Sequence, residues 1–239
     1  FQISGLSNYT TNTSNGLQIS GLFNRTRNLN GMQIAGIYNT AKRTKGIQLS
    51  LVNHTRRLDG LQVGLINITD SAKYGGQLGL LSFVKYNGYK QMEISYDDLR
   101  FINFSFRSGA KHFYSALQIG TALSFEEPLY RLGYALGTDI KIMGPIAFNL
   151  EADAFHITEN PWVSDLSLLV RAKTGLAINL NGLSFFGTIN YNYYLTNYLD
   201  ETGTLPKIPL ISDSVEEGFD LNNYYQMSFG FSAGMRVYL

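Results

Sequence analysis

Residues 225–239, YQMSFGFSAGMRVYL, separate into two interleaved sets. One parity carries Tyr225, Met227, Phe229, Phe231, Ala233, Met235, Val237 and Leu239. The other carries Gln226, Ser228, Gly230, Ser232, Gly234, Arg236 and Tyr238. A period of two is the mark of a β-strand with unlike faces. Strands of soluble sandwiches run about 5–6 residues. A tilted strand crossing a bilayer needs about 9–11, apolar toward lipid and polar or small toward the lumen. This stretch has the longer form.

The pattern continues upstream. Leu132, Tyr134, Leu136, Ile140 and Ile142 alternate with Arg131, Gly133, Gly137, Asp139 and Lys141. Ile146, Phe148 and Leu150 alternate with Asn149, Glu151 and Asp153, and Leu168, Val170, Leu176 and Ile178 oppose Arg171, Lys173 and Asn179. Eight strands are expected, at 91–97, 100–107, 111–124, 130–143, 145–157, 166–179, 182–195 and 224–239. Tight connections (Met143-Gly144-Pro145, Leu180-Asn181-Gly182) alternate with long ones (158–165, 196–222), as the periplasmic turns and outer loops of outer-membrane barrels do. Residues 88–239 are therefore expected to form a transmembrane antiparallel β-barrel, with whatever precedes it on the periplasmic side.

Composition agrees. Charged residues make up 15% of the 239, against about 25% in soluble proteins. No apolar run approaches the roughly 18 residues of a membrane helix, so spanning must be by a closed barrel. A net charge of +1 argues against a nucleic-acid partner. The absence of cysteine excludes disulfides and thiolate metal sites, and suits a compartment where free thiols are a liability. Phe1 falls inside what reads as a repeat, so a processed or truncated start is expected.

Residues 1–87 form an internal repeat. Gly16, Gly31, Gly46, Gly60 and Gly75 recur every 14 or 15 residues. Gln2, Gln18, Gln33, Gln48, Gln62 and Gln77 keep step, as do Asn8, Asn24, Asn39, Asn53 and Asn67. Fixed-period self-similarity signifies stacked units. Each copy reads as one strand plus a polar, basic turn such as RTRNLN or TAKRTK. A period of one strand favours a parallel, solenoid-like stack over the alternative, a single larger barrel of about fourteen strands. In the stack, Leu17, Met32, Ile47 and Leu61 would form one interior ladder and Ile19, Ile34, Leu49 and Val63 another. The asparagines would stack at the bend, where Asn tolerates left-handed backbone.

The run GLQISGLFN, GMQIAGIYN, GIQLSLVN and GLQVGLIN (from Gly16, Gly31, Gly46 and Gly60), followed by QLGLLSFVKYNGYKQMEISYDD and INFSFRSGAKHFY, resembles a family of Bacteroidota outer-membrane β-barrel proteins with surface repeats. In larger members a similar module follows carboxypeptidase-regulatory-like and secretin/TonB short N-terminal domains. The resemblance covers residues 1–125. It implies a bacterial outer-membrane location and contact with outer-membrane lipid and lipopolysaccharide. It defines no activity and carries over no catalytic residue, and no cofactor is expected.

Parity places Glu93, Asp97, Arg107, Arg131, Asp139, Lys141, Glu151, Asp153, Arg171, Lys173 and Arg236 in the lumen. An eight-strand barrel is only wide enough for its own side chains, so a salt-bridged plug is expected, with a polar pathway for small solutes as the alternative. If the repeats stack, Arg25, Arg27, Lys42, Arg43, Lys45, Arg56, Arg57 and Lys73 align as a basic stripe, read as a solvated face with, as the alternative, a docking surface for lipopolysaccharide or lipid phosphate, peptidoglycan or an acidic protein. His156-Ile157-Thr158 is similar to the His-x-Ser of outer-membrane lipid A deacylases. It has Thr for Ser and no nearby acid on its face to orient the histidine, so no enzyme is expected. His54 and His112 read as ordinary surface or lumen residues, and no histidine pair has metal-ligand spacing. Ser71 and Ser214 follow aspartates and precede apolar residues, as in the Bacteroidota O-glycosylation signal. Tyr191, Tyr193, Tyr225 and Trp162 suit an outer aromatic girdle. The expected role is a non-enzymatic scaffold or docking subunit of an envelope protein complex.

Overall fold

The computed structural model describes residues 1–110, 112–122, 129–158, 167–196, 216–220 and 223–239. These are all-β, in two sheets. The chain divides into two compact units: Phe1–Lys90 with Arg107–Ala116, and Gln91–Phe106 with Leu117–Leu239. The first thus includes a segment, Arg107–Ala116, that a boundary between 87 and 88 would assign to the barrel.

The repeat sheet holds β1 (Gln2–Ser4), β2 (Ser7–Ser20), β3 (Phe23–Ala35), β4 (Tyr38–Thr44), β5 (Ile47–Leu49), β6 (Val52–Leu58), β7 (Leu61–Val63), β8 (Ile66–Ser71), β9 (Gly76–Leu78) and β10 (Leu81–Tyr86). All pairings are parallel and in register with the repeat, stacking Gln2, Gln18, Gln33, Gln48, Gln62 and Gln77. This is the solenoid-like stack, not a fourteen-strand barrel. The glycine period has a steric cause: a Cβ on Gly46 would overlap the carbonyl oxygen of Gly31 in the coil before it.

Two expectations are corrected here. RTRNLN lies within β3 and all of TAKRTK but Lys45 lies in β4, so the basic stretches are strand and not turn. Alternation explains it, since Asn24, Thr26 and Leu29 are buried while Arg25 and Arg27 are exposed. The apolar ladders also form, but outside: Leu49 is 42% and Leu61 37% exposed, whereas Gln33, Gln48, Gln62, Asn39, Asn53 and Asn67 are fully buried. So narrow a coil is filled by amides that bond along the stack. Gln33 donates to Gln18 (2.7 Å), Gln48 to Gln33 (2.9 Å), Gln62 to Gln48 (2.9 Å) and Gln77 to Gln62 (2.8 Å). Asn8, Asn24, Asn39 and Asn53 each donate to the next asparagine, as Asn24 to Asn39 (3.0 Å), and all five donate to a carbonyl at the bend, as Asn24 to Ile34 (2.8 Å). None of these asparagines has left-handed backbone; amide bonding, not φ, fixes them. At the far bend Leu58, Ala72 and Val84 pack with Ala110 in an apolar cluster.

The second sheet comprises β11 (Tyr89–Asp97), β12 (Phe101–Ala110), β13 (Phe113–Ala122), β14 (Tyr130–Met143), β15 (Ile146–Thr158), β16 (Ser167–Leu180), β17 (Leu183–Thr196), β18 (Glu216–Asp220) and β19 (Asn223–Tyr238). The eight anticipated strands follow in chain order, and β11 pairs antiparallel with β19 to close the ring. β18 is additional. It pairs with the start of β19, from Glu216↔Met227 to Asp220↔Asn223, beyond the end of the shorter β11. Outward positions are apolar and exposed, among them Leu132, Ile140, Leu176, Ile189 and Phe229.

Candidate functional site

The barrel interior is built from the inward parity. Register sets Glu93 opposite Arg236, Asp153 opposite Arg171 and Glu151 opposite Lys173. All six are buried, as are Asp97 and Arg131. Arg171 grips Asp153 with two bonds of 3.1 Å, from Nε to Oδ1 and from Nη2 to Oδ2, and reaches Asp97 through Nη1 at 2.7 Å. Arg131 pairs with the same Asp97 oxygen through Nη2 and donates from Nε to Asn103 Oδ1 at 2.6 Å. Lys173 Nζ lies 2.8 Å from Asp153 and also pairs with Glu151. Arg236 holds Glu93 at 2.7 Å and approaches Asp139 at 3.6 Å.

Aromatic rings complete the packing. The Arg131 guanidinium lies 4.3 Å from the Phe101 and Phe155 ring centroids, Arg171 4.8 Å from Phe155, and Arg236 4.0 Å from Phe186. Such contacts add most where the cation is desolvated.

Two sequence-expected members stand apart. Lys141 keeps the inward parity but is exposed near the end of β14. Arg107 is buried in the other compact unit, its guanidinium 4.5 Å from the Tyr114 ring centroid.

The turn after β11 also enters the site, though alternation gives no sign of it. Asp98, Leu99 and Phe101 are buried, and Arg100 adopts left-handed φ of 60°. Asp97 Oδ1 accepts the Phe101 N–H at 3.2 Å and Asp98 N–H bonds the Phe231 carbonyl at 3.0 Å. The Asp98 carboxylate accepts from Asn192 (3.0 Å) and Asn190 (3.4 Å) on β17. Leu99 and Phe101 then join Ala122, Phe155, Ile157, Leu169 and Tyr194 in an apolar cluster. The turn is folded into the barrel, and this cluster adds an apolar layer to the charged one. Asn190 and Asn192 were legible as inward by parity; the inward turn had no sequence signal beyond the YDDLR run.

On the repeat sheet the basic residues lie on a strand face. Register places Arg25, Thr40 and His54 in one column and Arg43 and Arg57 in another. Arg27, Lys42 and Arg56 fall between them, at matching positions of successive coils. Arg43 is engaged by Asp59 at 2.8 Å, while Lys45 is exposed and Lys73 lies over the Tyr74 ring. An open groove of about 580 Å³ runs along this face, lined by Tyr9, Phe23, Tyr38, Arg25, Lys42 and Arg56 among others.

His156 points outward, and its cross-strand neighbours on that face are Leu132 and Leu168, neither of which can orient an imidazole. His54 lines the groove, and His112 is exposed. Ser71 ends β8 and is half-buried. Tyr193 stacks on Tyr225 at 6.0 Å and Tyr191 tilts against Phe229 at 5.2 Å. Ser214 and Trp162 lie outside the described residues.

Comparison with protein-family models, with curated proteins and with solved structures gives no match for this chain.

Proposed function

We propose that the chain is a non-enzymatic integral barrel of a bacterial outer membrane, serving as a scaffold or docking subunit of an envelope protein complex. The filled interior carries this reading. Asp97, Arg131, Arg171, Asp153, Lys173 and Glu151 form one connected buried network, and the Asp98–Phe101 turn occupies lumen that a transport path would need. An apolar outer surface over strands of 9 to 16 residues supports a place in lipid. Among the described residues no helix is long and apolar enough to cross a membrane. Contact with lipopolysaccharide and with protein partners then falls to the outer barrel surface and the basic repeat face.

The test is electrical. Purified full-length protein in planar bilayers should give no steady conductance. Stable, ion-selective openings would overturn the plugged scaffold and promote a small transport barrel.

A further inference from the structure

A stacked β-coil in water hides its apolar ladders and shows its polar residues. The repeat unit instead buries its Gln and Asn ladders and leaves its apolar ladders outside. Leu22, Ile37, Leu51, Leu65 and Leu80, one per coil at the bend, are 40, 51, 49, 53 and 44% exposed. The outward column before the bend is Ile19, Ile34, Leu49, Val63 and Leu78; the one after it is Phe23, Tyr38, Val52, Ile66 and Leu81. These form a band without a charge that wraps the bend and extends about 24 Å from Leu6 to Leu80, at about 4.8 Å per rung. So large an apolar surface marks a contact with something apolar.

Three observations identify what. First, much of the bend's backbone is paired from coil to coil. Leu22 N–H bonds Leu6 O (2.9 Å), Ile37 bonds Leu22 (3.0 Å), Val52 bonds Ile37 (2.9 Å) and Ile66 bonds Leu51 (2.9 Å). The carbonyls of Ile19, Ile34, Leu49, Val63 and Leu78 accept from the buried asparagines. Hydrocarbon favours such internal pairing of any backbone placed in it. Second, Arg25, Arg27, Lys42 and Arg56 rim the band two or four residues beyond its last column, with Tyr9 beside Arg25 and Tyr38 at the band's edge. Apolar surface, then tyrosine and cations, is the order of groups met from hydrocarbon to phosphate. Third, residues 1–90 contain ten Lys and Arg but only two acids, Asp59 and Asp70. A second copy would bring cations against cations, while anionic lipid supplies the missing charge.

We propose that the outward bend of the repeat sheet is a membrane-seated face. Its leucine and isoleucine columns lie in the hydrocarbon of a bilayer leaflet, and Arg25, Arg27, Lys42 and Arg56 meet the lipid phosphates. This rests on the membrane reading of the barrel and extends it to the repeats, which become a lipid-bound element and not a water-exposed module.

The chain lacks cysteine, so single labels are unambiguous. Full-length Ile37→Cys, Leu51→Cys, Leu65→Cys and Ile189→Cys proteins, each carrying one fluorophore, are reconstituted into phosphatidylcholine–phosphatidylglycerol vesicles. Ile189 faces outward on β17 and reports on the barrel alone. Acyl-chain nitroxide lipids should cause the same loss of fluorescence at 37, 51 and 65 as at 189, and headgroup nitroxides should quench a label at Lys42→Cys. Loss at 189 with none at 37, 51 and 65 overturns this inference and spares the barrel reading, whether those labels are open to aqueous iodide or shielded in a cross-linkable dimer. No loss at 189 overturns the membrane reading itself.

Discussion

Asp97 accepts two guanidinium groups at one oxygen, a backbone N–H at the other, and lies wholly out of water. Arg131 and Arg171 share it while both face the Phe155 ring, one at 4.3 Å and the other at 4.8 Å. Desolvating charges is costly, and only complete pairing offsets it. Arg171 is the member with most to lose, since it bridges Asp97 and Asp153. Arg171→Ala leaves both carboxylates short of a partner and should cost about 3–5 kcal/mol, read as a lower urea midpoint for the detergent-solubilised protein. Lys141→Ala, at an exposed strand end, should leave that midpoint in place. Equal effects would mean that the network adds nothing to stability.

At the scale of elements, the repeat sheet owes its order to hydrogen bonds more than to apolar burial. Asn53 donates to Val63 O (2.8 Å) and Asn67 Oδ1 (3.0 Å), and accepts from Asn39 (3.2 Å) and Ser50 Oγ (2.8 Å). Asn53→Leu has a similar shape but strands these partners, each at about 1–3 kcal/mol when buried. Neighbouring coils depend on one another in such a stack. Amide exchange should therefore quicken in β4, β6 and β8 while β14–β17 keep their protection; unchanged exchange in β6 and β8 would show that the ladder is dispensable. The period, the parallel stacking and the in-step Gln and Asn were all legible in sequence, because identical residues at a fixed spacing can only superpose. Which face turns inward was not. Alternation gives two faces, and the usual preference for apolar interiors chose the wrong one; the deciding fact is that amides can bond up the stack. The barrel's parity was legible because aromatic and branched residues oppose Gly, Ser and charge along whole strands. The inward turn at Asp98 was not, since its partners Asn190, Asn192 and Phe231 lie more than 90 residues away.

For the molecule as a whole, the ring is only as sound as its seam. β17 and β19 share fourteen register pairs, from Leu183↔Val237 to Thr196↔Tyr224. β11 and β19 share seven, from Gln91↔Tyr238 to Asp97↔Ser232, because β11 stops where its chain turns into the lumen. The turn that helps to fill the barrel therefore shortens the pairing that closes it. Glu93–Arg236 ties the seam from inside, and a lost closure would expose unpaired strand edges, which lipid does not tolerate. Gly234 lies in the seam, where a Cβ would overlap the Ile94 carbonyl and press on Ser95 at 2.8 Å. Gly187, on the neighbouring β17, has nothing within 4 Å of its Cβ position. Gly234→Leu should thus weaken closure, and Gly187→Leu should not, although both add the same side chain. A closed barrel in detergent runs as a compact band on gels until it is boiled. The Gly234 variant should convert to the unfolded band at a clearly lower temperature than the wild type, with the Gly187 variant unchanged. If the two variants convert together with the wild type, the β11–β19 pairing is not what holds the barrel shut.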